Sequence, residues 1–251
     1  MSCCPVTAEP ACEQADHIGA MKKAGTTNIY VTGPVSSSAG VIVYPDVFGL
    51  DSGRTKADAD TLGKLGYAVV VVDIANGDYL PDMNGFDDWL KKYTFAEHFG
   101  PRIQDAVNYL KGEVGVEHII SYGMCWGAWV GAVQTTQTDP IVIGHVSFHP
   151  AWIVENKLKG AGAVNNLAAA VKVPQLLMPA GDDPEELKPG GSVYNILKAR
   201  EDIGSNSDVV LFADQKHGWV HRGDMNDAAT KTSVMKAWHT AVKFIQTNCP
   251  A

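Results

Sequence analysis

The chain has 251 residues, 45% of them hydrophobic and 19% charged, a globular composition long enough to bury roughly 70–75% of its unfolded surface around one core. Its 20 Lys and Arg against 28 Asp and Glu leave a formal charge of -8, with no run of four basic residues; such a surface repels phosphate backbones and argues against a nucleic-acid partner. The longest apolar run, Tyr67–Val72, spans six residues, where about 20 are needed to cross a bilayer, so no membrane span is expected.

Residues 1–25 read as a polar, irregular amino-terminal segment without the apolar stretch of a secretory signal, and 26–251 as one folded domain. Five cysteines, Cys3, Cys4, Cys12, Cys125 and Cys249, are odd in number, and three of them crowd near one end. That is not a disulfide framework, and a cytoplasmic protein is the expectation. Thr27–Thr32 reads as an edge strand. Val41–Tyr44, bounded by Gly40 and Pro45, suits a strand buried on both faces. Arg54–Leu65 has helical spacing of Ala57, Ala59, Leu62 and Leu65, with Gly66 as the residue that ends it.

Ala68–Val72 predicts a second buried strand, and Pro101–Lys111 a helix with Pro at its first position. A strand at His118–Tyr122 precedes a helix at Trp126–Thr136. Strands follow at Ile141–Phe148 and Val173–Met178, then a helix at Val193–Arg200, a last strand at Asp208–Phe212 and a terminal helix at Ala228–Thr247. This alternation implies right-handed crossovers and a mostly parallel sheet covered by helices on both faces, an α/β domain. Two longer connections, Ala75–Glu97 and His149–Ala170, break the rhythm and are placed to shape a pocket.

The sharpest local feature is Gly123-Met124-Cys125-Trp126-Gly127, between a predicted strand and a predicted helix. Gly-x-Cys-x-Gly is a nucleophile elbow with Cys in place of Ser. The turn strains its central residue, and the flanking glycines remove the clashes that side chains there would make. Cys125 would then sit at the amino end of a helix, where the dipole favours thiolate. The Trp126 N–H would supply half of an oxyanion hole. The alternative is a Cys buried at a strand–helix junction.

Such a nucleophile needs an imidazole, and in this fold the order is nucleophile, acid, histidine. His217, in a polar loop after the last strand, is the candidate base. His239 and His145 fall inside predicted elements, His149 ends a strand and could line the pocket, and His221 reads as a substrate-side or surface residue. Asp182 and Asp183 follow the strand at Val173–Met178; Asp183, just before Pro184, is the chosen acid and Asp182 the second choice.

With those residues in view, the chain resembles the dienelactone hydrolase family of the α/β-hydrolase fold from about Asn28 to Thr247. Four segments carry the likeness: Val41-Ile42-Val43-Tyr44-Pro45-Asp46-Val47-Phe48-Gly49, the cysteine elbow through Ala128, Gly181-Asp182-Asp183, and His217-Gly218-Trp219-Val220-His221-Arg222. The resemblance implies a Cys125, Asp183, His217 triad and an oxyanion hole completed by the Val47 N–H. It also implies a supporting role for Asp46 in controlling the resting nucleophile. The substrates it implies are small esters or lactones. Bacterial members bind the substrate carboxylate with two arginines; this chain has His221 at one matching position, with Arg222 beside it, and no secure counterpart of the other in Ala75–Arg102.

A cysteine-dependent hydrolase working through a thioester is therefore the expectation, without cofactor or metal, as a monomer or homodimer. His221, Arg222, Trp89 and Trp152 are its candidate substrate contacts. Two other readings compete. One is a non-catalytic binding or regulatory member of the fold. The other is metal chemistry at His217/His221 or His145/His149, pairs spaced i, i+4 that fall outside the predicted helices.

Overall fold

The computed structural model describes residues 17–251; Cys3, Cys4 and Cys12 lie outside the described residues. Among the described residues, eight strands form one sheet: β1 (Ala20–Ala24), β2 (Thr27–Thr32), β3 (Ala39–Tyr44), β4 (Ala68–Val72), β5 (His118–Met124), β6 (His145–Phe148), β7 (Gln175–Met178) and β8 (Asp208–Val209). Their spatial order is β1-β2-β4-β3-β5-β6-β7-β8. From β4 to β8 every neighbour is parallel, while β2 pairs antiparallel with both β1 and β4.

Val-rich strands bury both faces because alternate side chains feed two separate apolar layers. On one face Ile42, Tyr44, Val70, Val72 and Leu177 join the first layer. It is covered by α3 (Gly100–Asn108), α4 (Trp126–Gln134), α6 (Ala163–Ala170) and α7 (Ser192–Lys198). On the other face Val41, Val43, Val71, Tyr122 and Phe148 join the second, under α1 (Thr55–Lys64) and α9 (Ala228–Asn248). The other α-helices of the described residues are short: α2 (Phe86–Lys91), α5 (Val154–Lys159) and α8 (Trp219–Arg222).

Several sequence expectations change. The segment 1–25, read as irregular, contains β1, which pairs from Ala20↔Val31 to Ala24↔Thr27. Four of its five residues are exposed, so it has no apolar pattern to reveal it, and β2 is an inner strand. The strand predicted over Ile141–Phe148 begins only at His145. The connections Ala75–Glu97 and His149–Ala170 are not bare loops, since α2 lies in the first and α5 and α6 in the second.

His145 ties α4 to the sheet. Its Nε2–H donates to the Ala128 carbonyl at 3.1 Å, so Nδ1 accepts from Ser121 Oγ at 2.8 Å. The helix comes so close that a Cβ on Gly131 would lie 2.1 Å from the imidazole. Burial disfavours the charged form and pushes the pKa down to about 4 from 6.5, against the opposing pull of its hydrogen bonds. The unfolded chain takes up this proton at higher pH than the native one, so the stability contributed by neutral His145 is lost as pH falls from 6.5 to about 4. NMR titration is expected to show a neutral His145 ring down to about pH 4, with denaturant midpoints falling across that window.

Candidate active site

The chain turns at the end of β5 through Cys125, whose φ of 55° and ψ of -120° lie outside the ordinary regions for a side-chain-bearing residue. Such a conformation costs on the order of 1–3 kcal/mol and persists only where its surroundings hold it. Here they do. A Cβ on Gly123 would lie 2.4 Å from the Gly127 carbonyl oxygen, and one on Gly127 would lie 2.2 Å from that of Tyr44 and 2.3 Å from that of Pro45. The two glycines let α4 press against the exit of β3. The Cys125 N–H donates to the Phe148 carbonyl at 3.2 Å, and its own carbonyl accepts from Ala151 N at 3.1 Å, binding the turn to the exit of β6.

The structure brings Cys125, Asp183 and His217 together. His217 Nδ1–H donates to Asp183 Oδ1 at 2.6 Å, and both side chains are almost wholly buried. The other Asp183 oxygen accepts from Ala180 N at 2.7 Å, fixing the carboxylate at the exit of β7. Asp182, the second choice of acid, instead accepts the His217 backbone N–H at 2.7 Å and sets the loop. The Cys125 side chain is hydrogen-bonded to the His217 imidazole. Burial opposes protonation of His217, yet the Asp183 carboxylate and the Cys125 sulfur hold its pKa well above the ordinary imidazole value.

Next to this group lies a buried centre built on Asp46. Its Oδ1 accepts from Phe48 N at 3.0 Å, and its Oδ2 from Ser52 Oγ at 2.9 Å and His221 Nε2 at 2.8 Å. Arg222 Nε lies 3.3 Å from the same oxygen. Burial opposes ionisation of Asp46, but His221 and Arg222 lower its pKa below the usual carboxylate value. His221 is itself pushed down, by burial and by Arg222 and Arg54, so it donates as a neutral ring. Arg54 completes the join, donating to the Val220 carbonyl at 2.6 Å and to that of Gly223 at 2.8 Å.

Four expected substrate contacts prove to be engaged elsewhere. His221 is wholly buried against Asp46, and Arg222 spends its guanidinium on Asp46 and on the face of Phe48, 5.0 Å from the ring centre. Trp152 is wholly buried and donates to Ser147 Oγ at 3.2 Å. Trp89 donates to the Asp78 carbonyl at 2.7 Å and meets the Trp126 indole edge-on at 4.9 Å. At least one polar atom of each is thus engaged by the protein itself. Ser52 and Arg54, by contrast, escaped the sequence reading: a serine and an arginine in a turn carry no local signal of contacts formed across the fold.

A cavity of about 450 Å³ lies around the amino end of β4, lined by Lys22, Val31, Lys64, Val69, Tyr109 and Leu110 among others. It includes none of the groups at the carboxyl edge, where three candidate side chains converge. Among the described residues no cluster of three or more His, Cys, Asp or Glu could hold a metal ion, and no helix is long and apolar enough to cross a membrane.

Comparison with known proteins identifies the family and the fold. The model of the dienelactone hydrolase family matches residues 27–249. A carboxymethylenebutenolidase homolog of Rattus norvegicus is 31% identical over 198 residues, covering 77% of this chain and 76% of the relative. Among solved structures, an acylaminoacyl peptidase of Pyrococcus horikoshii superposes with a TM-score of 0.68 at 17% identity, over 95% of this chain and 42% of the peptidase. A dienelactone hydrolase-like promiscuous phosphotriesterase from metagenomic libraries gives 0.61 at 16% identity, over 92% and 98%. At such identities these structures speak for the fold alone, which is that of an α/β-hydrolase. The match across nearly the whole described chain makes it a member of the dienelactone hydrolase family, and with that a carboxylic ester hydrolase.

Proposed function

We propose that the chain hydrolyses small carboxylic esters or lactones through a thioester on Cys125, with His217 and Asp183 completing the triad. The reading rests on one observation: a strained, nearly buried cysteine hydrogen-bonded to an imidazole whose far nitrogen donates to a buried carboxylate at 2.6 Å. In the resting state His217 holds the proton and Cys125 the negative charge. The thiolate attacks the substrate carbonyl carbon, and its oxygen takes up the electron pair of the C=O bond. The N–H groups of Trp126, at the start of α4, and of Val47, at the exit of β3, stabilise that oxyanion. Imidazolium then protonates the departing alkoxide, leaving the acyl group on sulfur.

Asp46 supports this chemistry from one residue away. By gathering Phe48 N–H, Ser52, His221 and Arg222 around one carboxylate, it fixes the segment that carries Val47. The walls favour a small acyl group. Trp89 and Phe99 both pack edge-on against Trp126, with ring centres 4.9 and 5.3 Å away, and Cys125 is only 1% exposed. The relative from Rattus norvegicus, a carboxymethylenebutenolidase homolog, supports an ester or lactone as the substrate class.

Cys125→Ala is expected to abolish turnover of p-nitrophenyl acetate, by at least about 10³-fold, while circular dichroism and thermal melting stay close to those of the parent. Retained turnover would remove the assignment. A second measurement reads the ion pair directly. Since His217 stays protonated above the ordinary imidazole range, alkylation of Cys125 by iodoacetamide should remain fast at neutral pH. In His217→Ala the same reaction should gain speed only as pH rises toward about 8.5, the value of a free thiol.

A further inference from the structure

His149 follows β6 directly, and its backbone N–H donates to the Met178 carbonyl at 3.0 Å. Its φ of 34° places a side-chain-bearing residue in the left-handed region, as at Cys125. The ring has no exposed surface, and neither nitrogen makes a hydrogen bond to another described residue. It is wedged between two other histidines. The His217 ring meets it edge-on with centres 4.9 Å apart, and the His221 ring stacks on it at 5.3 Å and 19°.

A buried polar group without a partner costs roughly 1–3 kcal/mol, and a left-handed backbone adds to that. Packing does not account for the choice, because a phenylalanine would fill the same space without stranding two nitrogens. The neighbouring rings are differently placed: His217 Nδ1 is taken by Asp183 and His221 Nε2 by Asp46. His149 alone of the three has both nitrogens unengaged.

The hydrolytic reading above requires a second reactant in this enclosed space. Once the acyl group sits on sulfur, a water must be held against the thioester carbonyl, away from bulk solvent and its hydrogen bonds. We infer that His149 is a further catalytic residue, which holds the deacylating water jointly with His217 through one of its unengaged ring nitrogens. The water oxygen attacks the carbonyl carbon while its proton passes to the His217 nitrogen that does not face Asp183. The C–S bond then breaks, the carboxylic acid departs, and sulfur leaves as thiolate beside the imidazolium, restoring the resting pair. His149 stays neutral throughout, since burial above all, with His217 and Arg222 nearby, keeps its pKa well below the ordinary value; it orients the water and gains no net proton. This role rests on the thioester reading.

Stopped-flow kinetics with p-nitrophenyl acetate separate the two halves of the reaction. His149→Phe is expected to release p-nitrophenolate in the acylation phase at a rate near that of the parent. Hydrolysis of its thioester should slow by about 10²-fold, so that acetylated Cys125 accumulates in intact-mass spectra. His149→Asn, which tolerates the left-handed backbone and keeps a polar amide, is expected to show a smaller slowing of the same step. Equal loss in acylation and deacylation would mark a structural residue and overturn the inference, as would deacylation at the parent rate in a folded variant. If His149→Phe fails to fold, His149→Asn decides by the same split. Failure of the underlying thioester reading looks different: the parent enzyme itself then forms no acetyl-Cys125, Cys125→Ala retains turnover, and the role of His149 falls with it.

Discussion

The site depends on a steric constraint, the contact of the first turn of α4 with the backbone leaving β3. With Tyr44 and Pro45 oxygens 2.2 and 2.3 Å from where a Gly127 Cβ would sit, no other residue fits there without moving main chain. That approach aligns the elbow on β5 with Asp46 and Val47. It makes the strain at Cys125 sustainable, because the turn is clamped on one side by β3 and on the other by hydrogen bonds to Phe148 and Ala151. Electrostatics then act on a geometry already set by packing.

Two buried carboxylates divide the work around that contact. Asp183 faces one imidazole and favours its charged form, whereas Asp46 faces another that remains neutral beside Arg222. The difference follows from the surrounding charge. His217 lies between Asp183 and the Cys125 sulfur, while His221 shares the Asp46 carboxylate with a guanidinium. Histidines four residues apart in sequence therefore serve opposite purposes, one holding a proton and the other only donating a hydrogen bond.

Much of this was legible in the sequence, for local reasons. Short Val-rich runs bounded by Gly and Pro announce buried strands, and the spaced glycines around Cys125 announce a tight turn into a helix. The order of elbow, acid loop and histidine loop points to one sheet edge. What escaped reading depends on distant partners. β1 exists because β2 offers it a ladder, not because of its own pattern. Trp89, Trp152, His221 and Arg222 looked available for a ligand, yet each is occupied by an acceptor contributed from elsewhere. The isolation of His149 depends on a φ angle and on two rings from the far end of the chain, and spacing encodes neither.

The paired side chains of the site come from separations of 34 residues, between Asp183 and His217, and 175 residues, between Asp46 and His221. No short stretch of the polypeptide contains the whole constellation, and its members hang from the exits of β3, β5, β6, β7 and the segment beyond β8. Loops this long must close before any reward is collected, which makes such topologies slow to fold. During renaturation, secondary structure would return well ahead of turnover, and the chemistry itself would register the last step of assembly.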